Sequence, residues 1–310
     1  MTAVQSSFGE GDVAGQRYFY SCFGLRIESD IHFLELDPAD PGSADLRIRL
    51  ASASGQDGGG MTGSQVPSSV EKVMDFTSVG RFHITPNMVT ITPAEDVRPE
   101  DLGLPLFGPV LATVLHQRGL LVLHGSAISS KWGLIAFVGD SGAGKSTTAG
   151  WFATNVAPLF TDDLLPVTIT EDGTPLVLPG YPLIKLSSAA VEAFVPVGTR
   201  ILPVGIEGYP KLRVRLDRPT LPSPGALDYI FVLRRGEEAA YSPFSRTDAL
   251  RAVMRNSYMA KYPDAFSSPE RKIRHLQQST AVANNVRIGE LTVPSSLDRL
   301  HEVLPLLESL

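Results

Sequence analysis

The sequence predicts a mixed α/β chain, α+β overall, with a smaller β-rich module over 17–97 ahead of a larger α/β domain over 98–310. Three observations lead there. Short alternating or aromatic runs, broken by Gly, Pro and Asn, fill the first hundred residues. A glycine-rich loop at 139–146 sits between an apolar run of strand length and a helical stretch. From 247 onward, apolar residues recur mainly at helical spacing.

Taken in order, residues 1–16 are small and polar and read as a flexible arm, with no apolar stretch that would make a signal peptide. Residues 18–27 read as a strand. Residues 44–50 alternate, with Leu46, Ile48 and Leu50 against Arg47 and Arg49. The stretch 54–64, with three glycines at 58–60, reads as a flexible loop. Strands follow at 73–79, 81–85 and 88–92, the last two joined by a turn at Pro86-Asn87. Leu106, Val110, Leu111, Val114 and Leu115 mark a helix over 104–118, ended by Gly119. The apolar runs 120–126 and 134–138 suit strands covered on both faces. Beyond the glycine loop come a helix at 145–155, a short strand ending at Thr161, a strand at 164–170, proline-rich hairpin material to Pro182 and a buried strand at 227–233. Helices are expected at 247–258, 269–282 and 295–310.

The composition is that of a chain with a real core: 43% hydrophobic and 19% charged residues among 310. The net charge of −6 excludes a broad basic surface, so neither nucleic acid nor an anionic membrane is an expected partner. Any polyphosphate must then meet a local positive pocket in an acidic protein. The one cysteine, Cys22, can form no internal disulfide. It lies in an aromatic strand-like run and reads as a buried structural thiol, and the reducing cytoplasm is the expected compartment. No apolar run approaches the ~18 residues needed to cross a bilayer.

The loop Gly139-Asp140-Ser141-Gly142-Ala143-Gly144-Lys145-Ser146 fits the pattern G-x-x-x-x-G-K-[ST], and Thr147 extends it. Glycines let a backbone wrap closely around phosphate oxygens. Successive N–H groups form an anion cradle, and the following helix aims the positive end of its dipole at the same place. Lys145 supplies a mobile point charge, and the Ser146 hydroxyl can bind Mg²⁺. The preceding apolar strand and following helix are the context this motif requires.

One helix and one returning strand separate Lys145 from Asp162-Asp163, which carries the acidic pair back toward the loop. One carboxylate could bind Mg²⁺, directly or through water, while the other accepts a proton from an attacking hydroxyl. The same two residues could simply close an Asx-type turn between strands. His124, at a strand end, could touch a phosphate oxygen or orient the base; it could equally bond a backbone carbonyl. Lys185, Lys211, Arg213, Arg215, Arg234, Arg235 and Arg255 are candidates for stabilising charge, with Lys211 and Arg213 on one strand face preferred. The segment 254–269, with Tyr258, Lys261 and Tyr262, reads as a mobile lid or as an ordinary helix end.

His124-Gly125-Ser126, the run Gly139 to Thr147, and Thr161-Asp162-Asp163 together resemble the catalytic core of bacterial HPr serine kinase/phosphorylase, whose phosphate-loop domain is related to phosphoenolpyruvate carboxykinase. The opening at 20–31 resembles the stand-alone branch of that family, which includes lasso-peptide tailoring kinases acting on the C-terminal serine of a precursor peptide. The resemblance implies ATP and Mg²⁺ as cofactors. It implies that Lys145 and Ser146 bind phosphate and metal, that Asp163 accepts the proton with Asp162 in support, and that His124 belongs to the site. Related enzymes assemble, which leaves a homo-oligomer open for this chain, but the sequence has no coiled-coil heptad and does not reveal the oligomeric state. Val177 to Pro182 departs from the family, carrying no carboxylate where a Glu- and Arg-containing signature stands, so one Mg²⁺ ligand of that family has no counterpart. HPr itself is therefore not the expected acceptor; a peptide or small protein bearing a serine hydroxyl is. A small-molecule kinase and a non-catalytic nucleotide sensor or assembly subunit stand as alternatives.

Overall fold

The computed structural model describes residues 16–51, 71–206, 208–216, 223–261 and 268–309. The expected arm, apart from Gln16, and the glycine-rich loop at 54–64 lie outside the described residues, as does Tyr262. The chain is mixed α/β and forms two compact units, Met1–Arg118 with Pro203–Gly208, and Gly119–Leu202 with Tyr209–Leu310. The division falls about twenty residues later than the sequence suggested, because the segment after Pro99 belongs with the strands before it. Phe107 packs edge-on against Phe33, with ring centroids 4.9 Å apart, and the Asp101 carboxylate accepts from the Gly205 amide at 2.8 Å.

In the first unit, β1 (Tyr18–Cys22), β2 (Leu25–Ser29), β3 (Leu46–Leu50), β4 (Lys72–Phe76), β5 (Gly80–Ile84) and β6 (Met88–Pro93) form one sheet in the order β1-β2-β3-β6-β5-β4. The run read as a single strand at 18–27 is a hairpin. Phe23 and Gly24 both take positive φ, 50° and 69°, as a two-residue turn matched to strand twist requires. An aromatic at that first position hides the turn from sequence; its ring is 1% exposed, and that burial offsets the backbone cost. The Pro86-Asn87 turn joins β5 to β6 as expected. Cys22 is a buried free thiol, and burial pushes its pKa up to about 12. The expected continuous helix over 104–118 is instead α1 (Pro99–Pro105), a π-like stretch Leu106–Val110 and α2 (Leu111–Gln117). Gly108 leaves the helical region just before Pro109, whose ring and missing N–H forbid a regular turn there.

The second unit is built on a larger sheet. Its elements are β7 (Leu121–Ser130), β8 (Gly133–Val138), α3 (Lys145–Asn155), β9 (Leu159–Thr161), β10 (Leu164–Ile169), β11 (Pro175–Val177), β12 (Leu183–Leu186), α4 (Ser188–Phe194), β13 (Arg200–Leu202) and β14 (Leu212–Arg215). There follow β15 (Gly225–Gly236), β16 (Ala240–Pro243), α5 (Arg246–Arg255), α6 (Tyr258–Lys261), α7 (Pro269–Asn285), β17 (Arg287–Pro294), a 3-10 turn Leu297–Val303 and α8 (Leu304–Glu308). The sheet order is β11-β10-β7-β8-β15-β17-β16, with β9 on β7. Only β8, β15 and β17 run parallel; β11 also pairs β15, which closes β10, β7, β8, β15 and β11 into a ring. Strands β12, β14 and β13 make a separate small sheet.

The apolar run of β8 is explained by its two covered faces. Ile135 and Phe137 pack with Phe152 of α3, Phe231 and Leu291, whereas Ala136 and Val138 face Val253 of α5 and Val282 of α7. The first of these cores fixes the start of α3 beneath the loop that follows β8. Phe137 is fully buried and stacks on Phe152 at 5.9 Å. Phe137→Ala should lower the denaturant midpoint of the second unit by a stability loss of about 3–5 kcal/mol, read by urea titration.

Candidate active site

The glycine loop begins where β8 ends and closes on α3. Gly139, Gly142 and Gly144 all have positive φ, and Gly144, at 95°, caps the helix. Lys145 is 8% exposed, and its Nζ donates to the carbonyls of Gly139 at 2.9 Å and Asp140 at 3.1 Å, folding the ammonium across the loop's own backbone. Gly144 needs more than its φ. A Cβ there would collide with the Arg235 guanidinium, which lies over the loop and is tied by Nη1 to the Pro294 carbonyl at 3.0 Å. A Cβ on Gly142 would meet open space.

The chain brings the acidic pair to this loop. Residues 162–163 link β9 to β10, two strands that both pair with β7, and β7 lies beside β8. Asp163 takes φ of 70°, an uncommon backbone state for a residue with a side chain and one that Asp tolerates better than most. The kink turns the two carboxylates apart. Asp162 is 5% exposed; its Oδ1 accepts from Ser126 Oγ at 2.6 Å and its Oδ2 from the backbone N–H of Lys185 at 3.0 Å. Asp163 Oδ2 accepts from Lys185 Nζ at 2.9 Å, and its Oδ1 lies 3.1 Å from His124 Nδ1 and 3.4 Å from the Tyr258 hydroxyl. His124 Nδ1 is also 3.2 Å from the Asp163 carbonyl oxygen, and the His124 and Tyr258 rings meet edge to face at 5.6 Å. Burial alone would raise the Asp163 pKa. The Lys185 ammonium and the hydrogen bond and charge of His124 outweigh it and hold the carboxyl well below the usual range. Burial alone would lower Lys185, yet the Asp163 carboxylate keeps it above the ordinary lysine value.

His124, Ser126, Lys145, Asp162, Asp163 and Lys185 line one cavity of about 290 Å³, together with Gly125, Ser141, Gly142, Gly144, Ser146, Thr147, Ser187, Lys211 and Arg235. Four permanent cations, Lys145, Lys185, Lys211 and Arg235, face two carboxylates, which leaves an excess of positive charge in a chain of net charge −6. The required local positive pocket is present. Of the other proposed cations, Arg213 is 1% exposed on β14 and does not line the cavity, although its register partner Lys185 does. Arg234 and Arg255 border a different cavity. Ser187 was not foreseen; it caps α4, accepting from the Ala190 amide at 3.3 Å, and an N-cap serine gives no sequence hint of a site. Tyr258 lay in the segment read as a lid or helix end. At 4% exposure it packs behind the cavity, against Asp163 and His124.

The donor set suits Mg²⁺ held mainly by substrate oxygens. Among the described residues no group of three or more His, Cys, Asp or Glu side chains could hold an ion. Ser146, Asp162 and Asp163 share the cavity, which matches an ion that keeps waters and takes one or two protein oxygens. Asp162, expected as the metal ligand, has both oxygens engaged by protein donors, and so has Asp163. No helix among the described residues is long and apolar enough to cross a membrane.

Comparison with protein-family models gave no match, and comparison with curated proteins gave none. The functional reading therefore rests on the residues of the site. Gly144→Ala should weaken tripolyphosphate binding by about tenfold or more, and Gly142→Ala by less, as measured by calorimetric titration.

Proposed function

We propose that the chain is an ATP- and Mg²⁺-dependent phosphotransferase of the HPr kinase-like phosphate-loop type. It transfers the γ-phosphoryl group to a serine hydroxyl of a peptide or small protein. The observation that carries this reading is the single cavity shared by the glycine loop, Lys145, Ser146 and the Asp163 carboxylate, with positive charge in excess. The resemblance of 124–126, 139–147 and 161–163 to that family supports it from the sequence side, and narrows the acceptor to the C-terminal serine of a lasso-peptide precursor. The excess positive charge would also tolerate the carboxylate that accompanies a terminal serine.

In this reading the loop amides and the Lys145 ammonium gather the β and γ phosphates. Bound Mg²⁺ would offset phosphate charge and orient the tail, with Ser146 and Asp162, directly or through water, as its protein oxygens. The acceptor oxygen forms a bond to the γ-phosphorus as the bridging oxygen–γ-phosphorus bond breaks, and ADP leaves. The hydroxyl proton passes to Asp163. A base held as anion by Lys185 suffices, because in a loose transition state the proton leaves late. Lys185, Lys211 and Arg235 stabilise charge on the moving group.

A second reading, a nucleotide sensor without turnover, has one observation behind it: Asp163 is engaged by Lys185, His124 and Tyr258 at once. Incubation with ATP, Mg²⁺ and a peptide ending in serine separates the two. A mass gain of one phosphate on the peptide supports the kinase, and tight ATP binding without it supports the sensor.

Asp163→Asn should keep ATP affinity within a few fold while lowering kcat by about 10²–10⁴; full activity in that variant removes the proton-acceptor role. Lys145→Ala should weaken both nucleotide binding and transfer. Lys185→Ala removes the main charge that depresses Asp163, so the Asp163 pKa rises. A base is inactive when protonated, so the acid limb of the kcat profile should move to higher pH in that variant, whereas the wild-type limb from Asp163 lies below the ordinary carboxylate range.

A further inference from the structure

The catalytic cavity accounts for a polyphosphate tail and an incoming hydroxyl. Its 290 Å³ is at the small end for ligand sites, and no hydrophobic side chain lines it to receive a base. A second cavity, of about 440 Å³, touches the same loop from the other side. Gly139 and Asp140 line it, with Val232 and Leu233 of β15, Phe244, and Ala252 of α5. Strand β8 lies between β7 and β15. The acidic pair, His124 and Ser126 belong to the β7 flank, and the second cavity belongs to the β15–β17 flank.

We propose that this second cavity takes the purine nucleoside of the phosphoryl donor, with the triphosphate crossing the glycine loop into the catalytic cavity. The proposal rests on the phosphate-donor reading of the loop given above. The acceptor cannot use this flank, since its hydroxyl must arrive beside Asp163. The chemistry fits a flat heteroaromatic ring. Val232, Phe244 and Ala252 supply apolar contact, and the guanidinium groups of Arg234 and Arg255 at the rim can stack on a ring face. Asp248 and Glu290 can accept from ribose hydroxyls or an exocyclic amine. Among the described residues, the rim arginines are held by exposed ion pairs, Arg234–Glu290 at 3.5 Å and Arg255–Asp140 at 2.9 Å. Such pairs contribute little to stability and exchange partners readily.

The test uses the full chain with Mg²⁺ and compares calorimetric titration of ATP with that of inorganic tripolyphosphate. Ala252→Trp fills the cavity, and Phe244→Ala removes one wall from a partly exposed position. Ala252→Trp should weaken ATP by about tenfold or more, and Phe244→Ala by several fold, with tripolyphosphate affinity unchanged in both. Should Ala252→Trp lose both ligands through misfolding, Phe244→Ala decides alone. ATP affinity equal to wild type in Phe244→Ala and Ala252→Trp overturns the nucleoside site while leaving the loop reading intact. Failure of the wild type to bind tripolyphosphate at all overturns both.

Discussion

The contact on which the site depends is the clamp that Lys185 places on two consecutive carboxylates. Its backbone N–H holds Asp162 and its ammonium holds Asp163. One residue of β12 thereby fixes the orientation of the β9–β10 turn. The ion pair lies largely out of solvent, with side-chain exposures of 14% and 20%. Such pairs gain little net stability over apolar packing, but losing one partner strands a buried charge. The pair thus acts as a specifier of geometry. It keeps Asp163 in a left-handed backbone state that the turn alone would resist, and it forces the small sheet of β12, β14 and β13 to stand against the β7 flank of the larger one.

The same clamp shapes the field. In an acidic chain, an anionic ligand approaches against the net charge until it reaches a place where cations outnumber carboxylates. Lys185 contributes to that excess while neutralising Asp163. Arg235 reaches over the loop from the end of β15 because Gly144 has no side chain to exclude it. The cavity's charge is therefore assembled from β12, the segment before β14, β15 and the loop itself, none of which is near another in sequence.

That dispersion explains what the sequence could and could not reveal. The loop at 139–146 was legible because all its functional atoms belong to one strand–turn–helix unit, whose glycines, lysine and serine occur in order. Asp162-Asp163 and His124 were legible as strand-end residues close to it. The interval between Lys145 and Asp162 has room for just the helix and strand observed. Lys185 stood among the cations ranked below Lys211 and Arg213, since its role exists only once β12 lies against residues 162–163. Arg213 looked equivalent to Lys211 by alternation, yet it is buried in the sheet. In the fold, the strands β15 and β8 were legible from unbroken apolar runs. The β1–β2 hairpin was not, because Phe23 occupies a turn position usually signalled by Asn or Gly. Strand β17 was missed because Gly289 and Glu290 interrupt its apolar pattern.

A strongly depressed Asp163 pKa conflicts with the proposed proton-acceptor role only if the resting site is taken as the reacting one. The depression comes chiefly from one ammonium group and one imidazole, each of which can also bond a phosphate oxygen. In the proposed transfer, a phosphoryl group entering the cavity would compete for the Lys185 charge, and whatever it drew away would be lost to Asp163. The carboxylate would then become more basic as the site filled. At the same moment the acceptor hydroxyl would become more acidic, as its oxygen began to bond to phosphorus. The two changes would run in the same direction, so the proton could move although the Asp163 carboxyl lies well below the usual carboxylate range beforehand. Asp163 and Lys185 satisfy each other, and that mutual satisfaction is what lets a buried, otherwise costly pair of charges persist.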